Sequence, residues 1–485
     1  MHSVVRTQCG AVRGTADGDV QVFKGIPFAA PLDGPRRFQA PAEPESWDGE
    51  RDATRYSAAV PQPLMAEGLP PSWHPGDDTD SLTVNVWTPV PGANLPVMVW
   101  FHGGAYLAGS PSEGSYEGAR LAGSGVVVVT AGYRVGYEGF GWVDDAPANR
   151  GILDQLAALR WVRENIGAFG GDPDNVTIFG ESAGGTSIAT LVAGSSRSGL
   201  FRRAIAQSPA AMYRSEDEAR KIAELITGPS GVRTTVAELA NIPAEDLHAA
   251  QKIATAEMTR NHGSWTDTTP YGVVLDGETL GELPWVALRD GAARGVDLIS
   301  GFTAEEAALF TAMLPREALD PDQLAADLHL GDDVMQQYRR AHPGIGDVAL
   351  YNMLLSDKLF RIPALWMAEA HAAAGGRSYL YELTLQALNG LGACHALDIP
   401  FTFGDVTSPV LQVLGGAPDG FEDLSGEFRR SWTAFAATGD PGWEAYRPSD
   451  RRTRIFDLPC STTSDPIAAS REIWAHRFPE LTARA

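Results

Sequence analysis

One short run in the 485-residue chain has the residue types and spacing of a hydrolytic nucleophile: Gly180-Glu181-Ser182-Ala183-Gly184 fits G-x-S-x-G. The chemistry explains both glycines. A serine on a sharp strand-to-helix turn projects its hydroxyl above the sheet, and side chains at the flanking positions would collide with neighbouring backbone. The turn also sets that oxygen at a helix N-terminus, whose partial positive charge favours an oxyanion. With 52 glycines available, chance supplies roughly 0.3 such matches, so context must decide. Here the match follows the β-branched run Asn175-Val176-Thr177-Ile178-Phe179 and precedes a small-residue segment over 183–193.

Acyl transfer also needs donors aimed at the developing alkoxide. One is the backbone N–H of the residue after the nucleophile, Ala183. A second source is His102-Gly103-Gly104-Ala105, a small-residue loop directly after an apolar run ending at Phe101. Such residues let backbone amides approach a substrate carbonyl closely, and losing one donor typically costs about 3 kcal/mol of transition-state stabilisation. His102 itself reads as a brace for the loop rather than a proton carrier.

The partners should follow in the order Ser, Asp/Glu, His. An acid belongs on a loop after a late strand, and an apolar run over 296–300 leads into Gly301-Phe302-Thr303-Ala304-Glu305-Glu306. Either carboxylate could orient an imidazole; adjacent residues point differently, so only one does. Five histidines lie beyond them: His329, His342, His371, His395 and His476. His371 falls mid-helix and His342 precedes Pro343 in a polar turn. His395 lies in Gly390-Leu391-Gly392-Ala393-Cys394-His395-Ala396, a small-residue loop after a strand-like run over 377–383, which is the setting a general base requires.

These parts need a scaffold that brings positions 102–105, 182, 305–306 and 395 to one rim. Residues 82–87, 96–101, 125–129, 175–179, 296–300 and 377–383 read as strands, several apolar throughout, as strands covered on both faces should be. Between them, residues 151–166 place Ile152, Leu156, Leu159 and Val162 at helical spacing. Strand–helix–strand alternation implies right-handed crossovers and a mainly parallel sheet. The Pro- and Gly-rich first hundred residues read as an antiparallel edge. The expectation is an α/β-hydrolase fold in a single domain spanning 1–485, with helical insertions over about 215–260 and 315–375, the latter as helices near 321–340 and 351–374.

Composition narrows the class. Hydrophobic residues make up 44% and charged residues 20%, ordinary for a globular chain. A net charge of −23 repels a polyanion, so nucleic acid is not an expected partner. No apolar stretch approaches a membrane span, and Met1-His2-Ser3-Val4-Val5-Arg6 lacks a signal-peptide core. Cys9, Cys394 and Cys460 form neither a disulfide framework nor a zinc pattern. The expectation is a cytoplasmic enzyme with reduced thiols, no metal and no cofactor. Trp265, Tyr106 and Phe310 read as packing residues near the site, and scattered apolar positions define no subunit interface.

The assembled motifs resemble the type-B carboxylesterase and cholinesterase-like family, and within it the bacterial para-nitrobenzyl esterases. Phe23-Lys24-Gly25-Ile26-Pro27-Phe28-Ala29 with Arg37-Phe38 is similar to its N-terminal signature, and Asn85-Val86-Trp87-Thr88-Pro89 to its next block. Phe169-Gly170-Gly171-Asp172-Pro173, leading to Gly180-Glu181-Ser182-Ala183-Gly184-Gly185, is the most specific stretch. Gln207-Ser208, Asp276-Gly277 and Pro400-Phe401-Thr402-Phe403-Gly404 also fit. The resemblance implies a catalytic acid at the second of the acidic pair, Glu306, with Glu305 in support. It implies a base at His395 and oxyanion donors at Gly104, Ala105 and Ala183. This chain departs from the pattern at Ala307 and Ala396, where glycine is common, and at Ser81, where many relatives have a disulfide cysteine.

The resemblance implies hydrolysis of small-molecule carboxylic esters, of para-nitrobenzyl or short-acyl type. Two alternatives have distinct signatures. A catalytically inactive cholinesterase-like binding module would lack the nucleophile or base, and its turnover would be indifferent to Ser182→Ala. A hydrolase using the same triad on amide, thioester or carbonate bonds would differ only in its specificity constants across matched substrates.

Overall fold

The computed structural model describes residues 3–64, 71–89, 93–195, 199–262 and 269–477; Met1, His2 and Trp265 lie outside these. Strands that are apolar throughout must be covered on both faces, and the sheet is built that way. Val97, Val99 and Phe101 face one core layer with Val127, Val129 and Ile178. Their neighbours Met98 and Trp100 face the other, with Val128, Phe179, Ile205 and Ile299. The alternation has the period of two that a pleated strand imposes.

Among the described residues the main sheet has 13 strands. Its centre is parallel, in the order Val127–Ala131, Leu95–Phe101, Gly171–Glu181, Arg203–Gln207, Asp297–Thr303, Ser378–Leu383 and Arg452–Phe456. The N-terminal strands Ser3–Arg6, Ala11–Asp17, Val20–Pro27 and Thr83–Thr88 form the expected antiparallel edge. Ser461–Ser464 closes the far edge, also antiparallel. This is the α/β-hydrolase arrangement, a large mixed sheet flanked by helices.

Helix Arg150–Asn165 buries Ile152, Leu156, Leu159 and Val162 as its spacing requires. Helix Ala183–Ala193 is almost wholly buried behind the nucleophile, which its small residues permit. Residues 216–262 supply the helices Glu216–Thr227, Val236–Leu239 and Ala244–His262, the first closed by a capping box from Ser215 and Glu218.

The stretch over 321–373 differs from the two helices expected. It forms Pro321–Asp327, Asp332–Ala341, Asp347–Ser356, a π-helical turn Asp357–Arg361, and Ile362–Ala373. The first break falls between Asp327 and Asp332, where His329 and Gly331 have φ of 52° and 79°, outside the helical region. The π-turn precedes Pro363, which has no N–H to offer the Leu359 carbonyl one turn earlier. That carbonyl instead accepts from the Ala211 N–H at 2.9 Å.

A buried ion pair fastens the N-terminal segment to this core. Arg134 and Asp154 are both fully buried and joined by two side-chain hydrogen bonds of 2.6 and 2.8 Å. The same guanidinium donates to the carbonyls of Arg37 and Gln39 at 2.9 and 2.7 Å. Among the described residues, no helix is long and apolar enough to cross a membrane.

Candidate active site

Parallel strands end at a common rim, and register brings the expected residues there. Phe101 pairs with Gly180, Glu181 with Gln207, Gln207 with Gly301, and Thr303 with Leu383. The loops carrying positions 102–105, 182, 305–306 and 390–396 therefore leave the sheet side by side.

Ser182 has φ 58° and ψ −122°, a conformation rare for any residue with a side chain. Both flanking glycines are sterically required. A Cβ at Gly180 would stand 2.7 Å from the Phe101 carbonyl oxygen, and one at Gly184 would run into that same carbonyl. The strained turn is held by Ser182 N–H donating to Gln207 O at 3.0 Å and by Thr186 N–H donating to Ser182 O at 2.8 Å. Ser182 is half-buried in an otherwise buried surround, so its side chain remains accessible.

The oxyanion loop is equally shaped by backbone. Gly104, Ala105 and Tyr106 have φ of 111°, 55° and 57°. A Cβ on Gly103 would lie 3.1 Å from Ser182 Cβ, so the loop passes against the nucleophile. Among the described residues, the N–H groups of Gly104, Ala105 and Ala183 donate to no backbone carbonyl. His102 holds the loop from beneath. Its Nδ1 lies 2.8 Å from Gly103 O, and its ring stacks on Tyr133, whose hydroxyl donates to His102 O at 2.7 Å. Burial pushes this imidazole down to about 4, which keeps it neutral near pH 7.

The adjacent glutamates divide the work. Glu306 is fully buried; its Oε2 lies 2.5 Å from His395 Nδ1, and its Oε1 accepts from Ser208 Oγ at 2.6 Å and Thr303 N–H at 2.8 Å. Glu305 turns the other way, its Oε2 accepting from Ala393 N–H at 2.8 Å while its own N–H donates to Ala393 O at 2.9 Å. Ala307, where glycine is common in the family, has φ −71° and ψ −16° and donates its N–H to Ser356 Oγ at 2.9 Å. No left-handed residue is needed there, so alanine fits. Ala396 is different: its φ of 67° is one that glycine adopts more cheaply.

The base position carries a feature that motif reading misses. His395 Nε2 lies 3.1 Å from Glu181 Oε1, on the residue just before the nucleophile, and has no hydrogen-bond partner among the described residues. Asp398 stands nearby, fully buried, accepting from Gln207 Nε2 at 2.9 Å and Tyr381 OH at 2.6 Å. Burial by itself would lower the His395 ring, but Glu181, Glu306 and Asp398 outweigh it and raise it above its ordinary range. Glu181 is raised as well, chiefly by burial.

His371 is engaged elsewhere. His371 Nδ1 lies 2.7 Å from Ser378 Oγ and its Nε2 3.0 Å from Ala293 O, inside the core. Tyr106 packs on Phe140 as a core residue, whereas Phe310 and Phe360 lie on the His395 ring itself, with centroids 5.0 and 4.4 Å away. Sequence reasoning quoted Ser208 only as part of the Gln207-Ser208 block without its role, and missed Asp398 and Phe360, which belong to no local motif. Glu181 was in plain view, as the variable position of G-x-S-x-G. Among the described residues, no group of three or more His, Cys, Asp or Glu side chains is placed to hold a metal ion.

A family model described as the carboxylesterase family matches residues 1–458. The chain is similar to the para-nitrobenzyl esterase of Bacillus subtilis (strain 168), at 37% identity over 489 positions covering 97% of this chain and 98% of that protein. It is also similar to the fumonisin B1 esterase of Sphingopyxis macrogoltabida, at 33% identity over 93% of this chain and 86% of that one. Among solved structures, the Geobacillus stearothermophilus carboxylesterase Est55 superposes with a TM-score of 0.85 at 36% identity, covering 97% of this chain and 99% of that chain.

Proposed function

The chain belongs to the carboxylesterase family and is a serine carboxylic ester hydrolase, and from that premise we propose that Ser182 is its nucleophile, His395 its general base and Glu306 the acid that orients the base. The observation carrying this reading is the pairing of His395 Nδ1 with Glu306 Oε2 at 2.5 Å, across 89 residues of chain, on the rim where Ser182 stands strained and accessible.

The proposed chemistry runs in two half-reactions. His395 Nε2 takes the Ser182 proton as Oγ attacks the ester carbonyl carbon, and the carbonyl oxygen becomes an alkoxide held by the N–H groups of Gly104, Ala105 and Ala183. The tetrahedral adduct collapses, the imidazolium protonates the departing alcohol oxygen, and an acyl-enzyme remains on Ser182. Water then repeats the cycle: the ring accepts its proton, the hydroxyl attacks, and Ser182 leaves reprotonated with release of the acid. In the resting arrangement Nε2 faces Glu181, so a small tilt of the ring accompanies proton uptake; catalytic hydrogen bonds commonly tighten only once substrate is bound.

Glu306 is suited to its role because three donors, Ser208, Thr303 and His395, converge on it. A carboxylate so held stabilises the imidazolium that forms. The substrates in this reading are small carboxylic esters of para-nitrobenzyl or short-acyl type. The whole chain is read as one catalytic domain. Cys9, Cys394 and Cys460 are in no disulfide, which supports a cytoplasmic setting.

The decisive measurement is turnover of a chromogenic short-acyl ester. Ser182→Ala and His395→Ala should each cut kcat by about 10⁴ or more while circular dichroism stays that of the wild type. Equal rates for wild type and Ser182→Ala would sink the assignment. Specificity constants on matched ester, thioester, carbonate and amide substrates test the bond class, with the ester expected to lead.

A further inference from the structure

We propose that Phe360 is a positioning residue for the general base, held over the His395 ring by the π-helical turn Asp357–Arg361, which the C-terminal helix Ala468–Trp474 secures from behind. The proposal rests on the reading of His395 as base. Phe360 is buried, and its ring lies 4.4 Å from the imidazole at an interplanar angle of 39°. Phe310 lies 5.0 Å away at 48°, and the two phenyl rings stack on each other at 5.9 Å. The imidazole is thus walled by aromatics, while Glu306 and Glu181 face its two nitrogens.

The turn that presents Phe360 is anchored on both sides. Toward the site, Leu359 O accepts from Ala211 N–H at 2.9 Å, three residues past Ser208, the donor to Glu306. Just before the turn, Ser356 Oγ accepts from Ala307 N–H, next to the acid. Away from the site, Asp357 is fully buried; its Oδ1 lies 3.3 Å from Arg361 and its Oδ2 accepts from Tyr338 OH at 2.6 Å. Trp474 Nε1 in turn donates to Tyr338 OH at 2.5 Å. A hydrogen-bonded relay therefore runs from Trp474 through Tyr338 and Asp357 to the turn that carries Phe360. π-Turns inside helices recur where side chains must be re-aimed.

A wall of this kind does two things. It limits the tilt of the ring between Glu306 and Glu181, where a misplacement of about 1 Å can cost roughly a hundredfold in rate. It also excludes water, which disfavours the charged ring against the pull of the surrounding groups. Those groups are Glu306 on the loop after strand Asp297–Thr303, Glu181 at the end of strand Gly171–Glu181, and Asp398 on helix Asp398–Phe403. Arg361 lies on the π-turn, with Asp357, Glu382 and Glu306 among the groups that hold its charge, and the Cys394 thiol adjoins the ring in sequence and is pushed up to about 12, so it stays protonated.

The test compares Phe360→Ala and Phe360→Leu with wild type on an acetyl ester, measuring kcat, KM and the pH profile, with Ser182→Ala and His395→Ala as controls. Phe360→Ala should lower kcat about ten- to a hundredfold with little change in KM, and shift the acid limb to higher pH as water reaches the ring. Phe360→Leu should lie between Phe360→Ala and wild type. Tyr338→Phe, which breaks the relay, should shift the limb in the same direction by less. A folded Phe360→Ala with wild-type kcat and limb overturns the proposal, as does a rise in KM alone. Where Phe360→Ala does not fold, Phe360→Leu decides: a moved limb supports the proposal and a wild-type limb overturns it. Full activity in His395→Ala would instead overturn the base assignment, a separate outcome.

Discussion

Glu181 and Glu306 face opposite nitrogens of one buried imidazole, and their effects on it should separate by substitution. A base must be neutral to accept a proton, so kcat/KM falls as pH drops through its pKa. The carboxylates raise the His395 ring from its ordinary 6.5, so that fall should begin at higher pH than for a free imidazole. Glu181→Gln removes one of the carboxylates that lift it. The acid limb should then move to lower pH with kcat at the plateau largely kept; a limb that stays put or moves up refutes the role given to Glu181. Glu306→Gln should instead cut plateau kcat by about 10²–10⁴, since it removes the charge that stabilises the imidazolium and, with Ser208 and Thr303 still donating to the carbonyl oxygen, turns an amide N–H toward Nδ1. Glu305→Gln should cost little, because its Oε1 can still accept from Ala393 N–H. Should Glu305→Gln prove the more damaging, the acid has been assigned to the wrong glutamate.

At the scale of elements, the glycines around the nucleophile make the strongest prediction. A Cβ at Gly184 overlaps the Phe101 carbonyl, so Gly184→Ala must part the helix from the sheet. Overpacking of this sort costs about 3 kcal/mol, and activity should fall with it, read by denaturant unfolding and ester turnover together. Ala396 offers the opposite case. A left-handed residue other than glycine is strained by roughly 1–2 kcal/mol, and the extra freedom of glycine in the unfolded chain offsets about 0.4–1 kcal/mol of that. Ala396→Gly should therefore raise the unfolding free energy by about 0.5–1 kcal/mol; a lowered midpoint would count against this. Such positions also show what the sequence can reveal. Ser182 and its glycines, the 102–105 loop and the apolar strands were legible because each is a local pattern with a local cause. The choice between Glu305 and Glu306 came from family resemblance, since two adjacent carboxylates look alike until their directions are known. Asp398 and Phe360 were illegible because their roles arise from approach across the sheet rim, which no spacing records. The break between Asp327 and Asp332 and the π-turn before Pro363 were missed because apolar spacing continues through both.

Across the whole molecule, distant segments are tied to the catalytic rim by buried polar contacts. Arg134, paired with Asp154, holds the carbonyls of residues 37 and 39. Removing one member of a buried pair strands the other's charge, so Asp154→Ala should cost about 3–5 kcal/mol while leaving kcat per folded molecule near wild type. A loss below 1 kcal/mol would mean the site is open to water. The rim has its own tie. Glu305 and Ala393 exchange two hydrogen bonds, and His395 N–H donates to Glu306 O at 3.3 Å, so the loops after two neighbouring strands are sewn together along their length. They are consequently one mechanical part made from two distant stretches of gene. Exchanging a single loop with a relative's would tear that seam, whereas swapping both at once transplants an intact acid–base unit and leaves only its aim at the serine to be re-tuned.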